Sequence, residues 1–128
     1  MVTEVKRISR DITRPVEREL WARAAGRCQF DGCNKILYQS SVTNESVHTA
    51  QKAHIYSFSK DGPRGWGPFK IGLTQLNDVS NLMLICHECH QKIDGYPDRY
   101  AAEILIAWKA QHEERVETVT GIASNKKS

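Results

Sequence analysis

Four cysteines and three histidines in this chain have spacings that could do chemistry. Cys28 and Cys33 have four residues between them, Cys86 and Cys89 have two, and fifty-two residues separate the pairs. A short turn lets two thiolates face one ion, and two such turns complete the tetrahedral shell of a structural zinc. In a reducing compartment, paired short spacings favour metal over disulfides. A closed four-thiolate shell has no open position for water, so this zinc is expected to be structural rather than catalytic. His87 is the rival ligand for one corner, but its place next to a cysteine would distort the turn.

His90 follows Cys89 directly, so the zinc turn would fix its position. Asp94 lies four residues on, and on a helix those two side chains share a face. Together they offer one imidazole nitrogen and one carboxylate to a hard divalent cation, leaving room for water and phosphate. Read alone, the pair is better explained by Asp94 ending the helix with Gly95 and His90 packing on the zinc site. His54, in Lys52-Ala53-His54-Ile55-Tyr56, adds a second group. Phosphodiester hydrolysis needs a base to activate water, a task suited to an imidazole. It also needs a cation to offset charge on the phosphate and the leaving oxygen.

Ala53-His54-Ile55, then Asn81-Leu82, then Cys86-x-x-Cys89-His90, resembles the HNH, or ββα-metal, nuclease motif. The resemblance implies that His54 is the general base, that Asn81 braces the loop orienting it, and that His90 is a metal ligand. Asp94 falls where the family often has a further ligand, and Cys28, Cys33, Cys86 and Cys89 match its zinc-knuckle cysteines. Many relatives carry Asp or His directly before the base; this chain has Ala53, which leaves the cation to His90, Asp94, water and phosphate. Gly62-Pro63-Arg64-Gly65, Lys92-Ile93-Asp94, Tyr96-Pro97 and Trp108-Lys109 with Glu113 resemble one subgroup, the nuclease domain of CBASS anti-phage effectors. There the nuclease precedes a SAVED domain that senses a cyclic oligonucleotide, and no such domain is among these residues. The resemblance covers about residues 8 to 116. It implies double-stranded DNA as substrate, Mg²⁺ as the catalytic ion with Mn²⁺ or Ni²⁺ as alternatives, self-association on activation, and Arg64 as a contact to the scissile phosphate.

The elements that must position these residues follow from patterning. Pro15 suits the first turn of a helix in which Val16, Leu20 and Ala24 recur at helical spacing, with Gly26 as the stop. Asp31-Gly32 makes the turn between the first two cysteines. Lys35 to Tyr38 reads as a short strand, 39–50 as a loop, and Ala53 to Phe58 as β-prone. Gly62, Pro63, Gly65, Gly67 and Pro68 require a loop. Leu82 to Ile85 fits a buried strand, Cys86 to Asp94 a turn and short helix. Asp98 to Val116 carries the longest helical pattern, with Tyr100, Ile104, Leu105, Trp108 and His112 on one side. The expected architecture is α+β: a small zinc-stapled ββα domain over 14–117 with flanking N- and C-terminal helices. Residues 1–13 form an arm and 118–128 a tail or linker start.

The chain has 128 residues, 40% of them hydrophobic and 26% charged, which suits one small globular domain and excludes a chain disordered throughout. No apolar run approaches the ~20 residues of a membrane span, and Met1 to Arg10 lacks the apolar stretch of a secretory signal, so a cytoplasmic location is expected. The net charge of +3 is too mild to identify a nucleic-acid partner, although Lys6, Arg7, Arg10, Arg14, Arg18, Arg23 and Arg27 give the first part of the chain a basic lean. No long basic recognition helix is evident, so cleavage is expected to be tolerant of sequence. The competing reading is a zinc-stabilised DNA-binding or protein-interaction module without catalysis. A zinc redox switch is a third, which nothing in the sequence requires.

Overall fold

Thr13 opens the first helix: its hydroxyl accepts from the Val16 amide at 3.4 Å, and Pro15 follows in the first turn. In the computed structural model this helix, α1, runs Arg14–Ala24 and buries Leu20 and Ala24. Ala25 and Gly26 end it in the left-handed conformation, at φ 54° and 66°. The structure describes residues 12–39, 50–57, 59–70 and 72–121. The expected arm lies outside them, apart from its last two residues, as do most of the expected loop 39–50, His48 within it, and the end of the tail.

The chain then turns back on itself. The amide of Cys28 donates to Lys35 O at 2.8 Å and that of Leu37 to Gly26 O at 2.9 Å. This hairpin holds a single antiparallel bridge, Arg27 to Ile36, where a strand over Lys35 to Tyr38 was expected. The tight cysteine turn leaves too little length on either arm for a ladder.

The sheet has two antiparallel strands, β1 (Ala50–His54) and β2 (Leu82–Cys86), with Ala50 opposite Cys86 and His54 opposite Leu82. β1 starts three residues before the expected Ala53 and stops at His54, because Asn81 captures the peptides that follow. All five residues of β2 are buried, as its unbroken apolar run requires. Its second edge is closed by one residue. Gln29 N–H donates to Leu84 O at 2.8 Å, and Leu84 N–H donates to Gln29 Oε1 at 2.9 Å. The backbone and side chain of Gln29 thus stand in for a third strand.

Helix α2 (His87–Gly95) leaves β2 directly, and α3 (Ala102–Thr120) packs across α1. Of the face expected, Leu105 and His112 are buried and Tyr100 and Trp108 pack partly buried against the core, but Ile104 is 40% exposed, and Ala102 and Lys109 complete the buried stripe of α3. Lys109 enters the stripe because Glu113 Oε2 sits 2.6 Å from its ammonium. Burial still pushes that ammonium below its ordinary pKa, against the pull of Glu113. His112 Nε2–H donates to Ala24 O at 2.9 Å, satisfying a carbonyl at the end of α1. The helix also outruns the boundary expected at 117. Thr118 and Thr120 bond their hydroxyls back to Glu114 O and Val116 O, which satisfies small polar side chains within the helix. No helix among the described residues is long and apolar enough to cross a membrane.

Gln29→Ala removes an acceptor and leaves the buried Leu84 amide unsatisfied. It is expected to lower unfolding stability by about 2 kcal/mol in urea titrations. A loss under ~0.5 kcal/mol would show that the edge of β2 does not depend on this side chain.

Candidate functional site

The four cysteines converge although fifty-two residues, β1 and most of β2 among them, separate the two pairs in sequence. Their sulfurs all lie within 4.8 Å of one another, and Cys28, Cys86 and Cys89 are buried. Four sulfurs at ~2.3 Å from a tetrahedral zinc stand about 3.8 Å apart, so the cluster needs to contract by only about 1 Å to hold the ion. His87 lies outside the cluster and is exposed. The surroundings suit thiolates. The Cys86 amide points at Cys28 Sγ at 3.4 Å, and the Cys89 amide at Cys86 Sγ at 3.5 Å, at the N-terminus of α2 where negative charge is favoured. Burial pushes the Cys28 thiol up to about 12 and raises Cys89 as well. At Cys86 burial also opposes ionisation, but the Cys89 amide and the neighbouring thiols outweigh it and its pKa falls. The four cysteines are thus compatible with one structural zinc.

His54 ends β1, half-buried, with Nε2 at 2.8 Å from Asn77 Oδ1. The chain beyond it is held by Asn81, which is 1% exposed. Asn81 Oδ1 accepts from the Tyr56 amide at 2.9 Å, while Nδ2 donates to Tyr56 O at 3.0 Å and Leu76 O at 2.9 Å. The Asn81 carbonyl accepts from Ile55 N–H at 2.8 Å. Every side-chain position of this amide that can be filled from two sides of the loop is filled, as burial of an amide demands. Gly67 lies against the same segment: it has φ 52°, and a β-carbon there would collide with the Tyr56 ring.

His90 and Asp94 meet on α2, with Nε2 at 3.0 Å from Oδ2. The other carboxylate oxygen, Oδ1, is 3.1 Å from Arg64 Nη2. Burial opposes ionisation of Asp94, but His90 and then Arg64 outweigh it and hold the carboxyl below its usual range. Arg64, expected at the substrate phosphate, is turned inward with its side chain 4% exposed. Its Nε donates to Ile55 O at 2.5 Å and its Nη1 to Ile93 O at 2.8 Å and Tyr100 O at 3.4 Å. The fork of donors holds three backbone carbonyls, one in the last turn of α2, and a carboxylate at once. Its backbone sits in the left-handed region at φ 64°, a strained position for a side chain of this size that these contacts offset. Burial lowers its pKa, partly countered by Asp94.

Because one guanidinium reaches both Ile55 O and Asp94, the strand end carrying His54 lies beside the last turn of α2. The geometry therefore joins His90, Asp94 and Arg64 by direct contact, and Asn81 to the peptides after His54. His54 and His90 enter from separate elements. Ala53 is 1% exposed and its methyl is packed in the core. Among the described residues, the four cysteines are the one group of three or more metal-ligating side chains drawn together. Asn77 and Gln29 had no signal in the sequence: each is a single amide in a turn, and its role depends on a partner far along the chain.

No protein-family model matches the chain, and no curated protein matches it significantly.

Zinc should bind at one ion per chain and displace the protons that Cys28 and Cys89 hold at neutral pH. An indicator dye in a weakly buffered titration measures the release. Binding without proton release would contradict a thiolate site, as would unchanged zinc content in a Cys28→Ser, Cys89→Ser double variant.

Proposed function

We propose that the chain is an HNH-type, ββα-metal endonuclease that hydrolyses phosphodiester bonds of double-stranded DNA. The observation that carries this reading is the buried Asn81 amide, which fixes the peptides on both sides of the loop that presents His54. Such bracing suits a base that must meet its water in one orientation. His54 takes a proton from water as the water oxygen bonds to phosphorus. The bond from phosphorus to the leaving oxygen breaks, and that oxygen takes its proton from solvent. A divalent ion, with Mg²⁺ the first candidate, supplies charge stabilisation to the phosphate and leaving oxygen when bound.

His90 is the residue best placed to hold that ion. Asp94 reaches His90 by one oxygen and Arg64 by the other, so it fits the ion either as a ligand or as the carboxylate that orients the imidazole. Arg64 acts as a clasp between the strand end and α2, so phosphate contacts fall to other cations. Among the described residues no long basic helix offers itself to a groove, which supports cleavage with little sequence preference. Indiscriminate cutting needs restraint. A defence effector under a fused sensor domain, active when copies associate, is the setting we propose, in the cytoplasm.

A second reading is a non-catalytic zinc-stabilised module that binds DNA or protein. It draws on the buried methyl of Ala53 and on a metal-ligating cluster made of cysteines alone.

Supercoiled plasmid incubated with zinc-loaded protein and Mg²⁺, Mn²⁺ or Ni²⁺ is expected to be nicked and linearised. EDTA should abolish this, and His54→Ala should slow it by about 10²-fold or more. DNA binding without cutting, in the free chain and in a chain fused to a dimeric partner, would favour the second reading.

A further inference from the structure

We propose that Asn77 is a positioning residue for His54, its side-chain carbonyl holding the imidazole in the Nε2–H tautomer. The inference rests on the reading of His54 as the base, but its chemistry is read from geometry alone. Asn77 Oδ1 lies 2.8 Å from His54 Nε2. An amide oxygen only accepts, so Nε2 must carry the hydrogen. A neutral imidazole has one N–H, so the lone pair, and with it the basicity, resides on Nδ1. Turned over, the Asn77 amide would set an NH₂ group against the ring and select the opposite tautomer, so the protonation of the two ring nitrogens reports which way the amide lies.

The pair is fixed from both sides by one buried group. Asn77 closes the 3-10 turn Leu73–Asn77, and the residue before it, Leu76, is fully buried. Leu76 O accepts from Asn81 Nδ2 at 2.9 Å. The residue after it, Asp78, bonds its amide to Gln75 O and its carbonyl to the Asn81 amide, at 3.0 and 2.9 Å. On the other side Asn81 grips Ile55 and Tyr56, the two residues that follow His54. The backbone flanking each member of the pair is thus tied to Asn81. The arrangement separates two tasks: Asn81 sets where the loop lies, and Asn77 sets which ring nitrogen is basic.

The sequence hides this role, because Asn77 lies twenty-three residues from His54 and next to Asp78, where an Asn-Asp pair reads as turn chemistry.

The test is the nitrogen spectrum of the imidazoles in ¹⁵N-labelled, zinc-loaded protein at alkaline pH, with the His54 signals assigned by their loss in His54→Gln. The wild-type ring should show a protonated Nε2 and an unprotonated Nδ1. Asn77→Asp, which keeps an acceptor, should preserve that pattern; Asn77→Leu should lose it. In the plasmid assay Asn77→Leu should lower kcat about tenfold or more with KM nearly unchanged, and Asn77→Asp should recover most of the loss. A wild-type His54 protonated at Nδ1 overturns the proposal even if no variant folds. So does a Leu variant whose His54 signals match wild type. If the tautomer behaves as expected and wild type cuts nothing under any condition, the nuclease reading fails and the Asn77 assignment stands.

Discussion

Four sulfurs within 4.8 Å of one another, three of them from buried residues, are the constraint from which the rest of this structure follows. Two come from the hairpin after α1 and two from the junction of β2 and α2, so one ion would tie the first third of the chain to the last. A core of this size gains much from such a staple. The staple also sets direction. It fixes where β2 ends and α2 begins, so α2 must leave the sheet at Cys86 with His90 on its first turn.

A second constraint works at the other end of the sheet, where His54 pairs with Leu82. Asn81 is an amide with nowhere to find water, and it is satisfied only if the loop after His54 and the turn before β2 come to it. Arg64 then closes the remaining gap, bonding the strand end to the last turn of α2 and to Asp94. Three polar anchors, rather than a large apolar interior, therefore determine where His54, His90 and Asp94 stand. Such bonds suit the base and metal ligand proposed above, which come from different elements and would have to be held in one geometry.

Much of this was legible in the sequence, and what was not has a common cause. The cysteine spacings gave away the four-sulfur cluster, because the geometry that could hold a metal ion is local within each pair. Pro15, the apolar run at Leu82 and the helical pattern before Val116 gave away α1, β2 and α3. The misses are residues whose role depends on a distant partner. Gln29 reads as an ordinary turn residue until Leu84 is beside it. Lys109 is not part of the apolar face expected of α3, yet with Glu113 beside it its side chain lies in the buried stripe, while Ile104 is exposed. Arg64 reads as a loop cation ready for phosphate, yet three carbonyls and a carboxylate draw it inward. Sequence periodicity carries burial well, but it carries no information on which buried polar groups will find each other.

Under the nuclease reading proposed above, a second metal ion would sit at His90, separate from the cysteines, with His54 turned toward the same phosphate. Anomalous diffraction from crystals of the zinc-loaded chain grown with Mn²⁺ and a short DNA duplex tests it most directly. The account predicts manganese at His90, with a DNA phosphate beside it and the His54 ring facing that phosphate. Zinc at the four cysteines with no manganese at His90, and the DNA lying elsewhere, would contradict it.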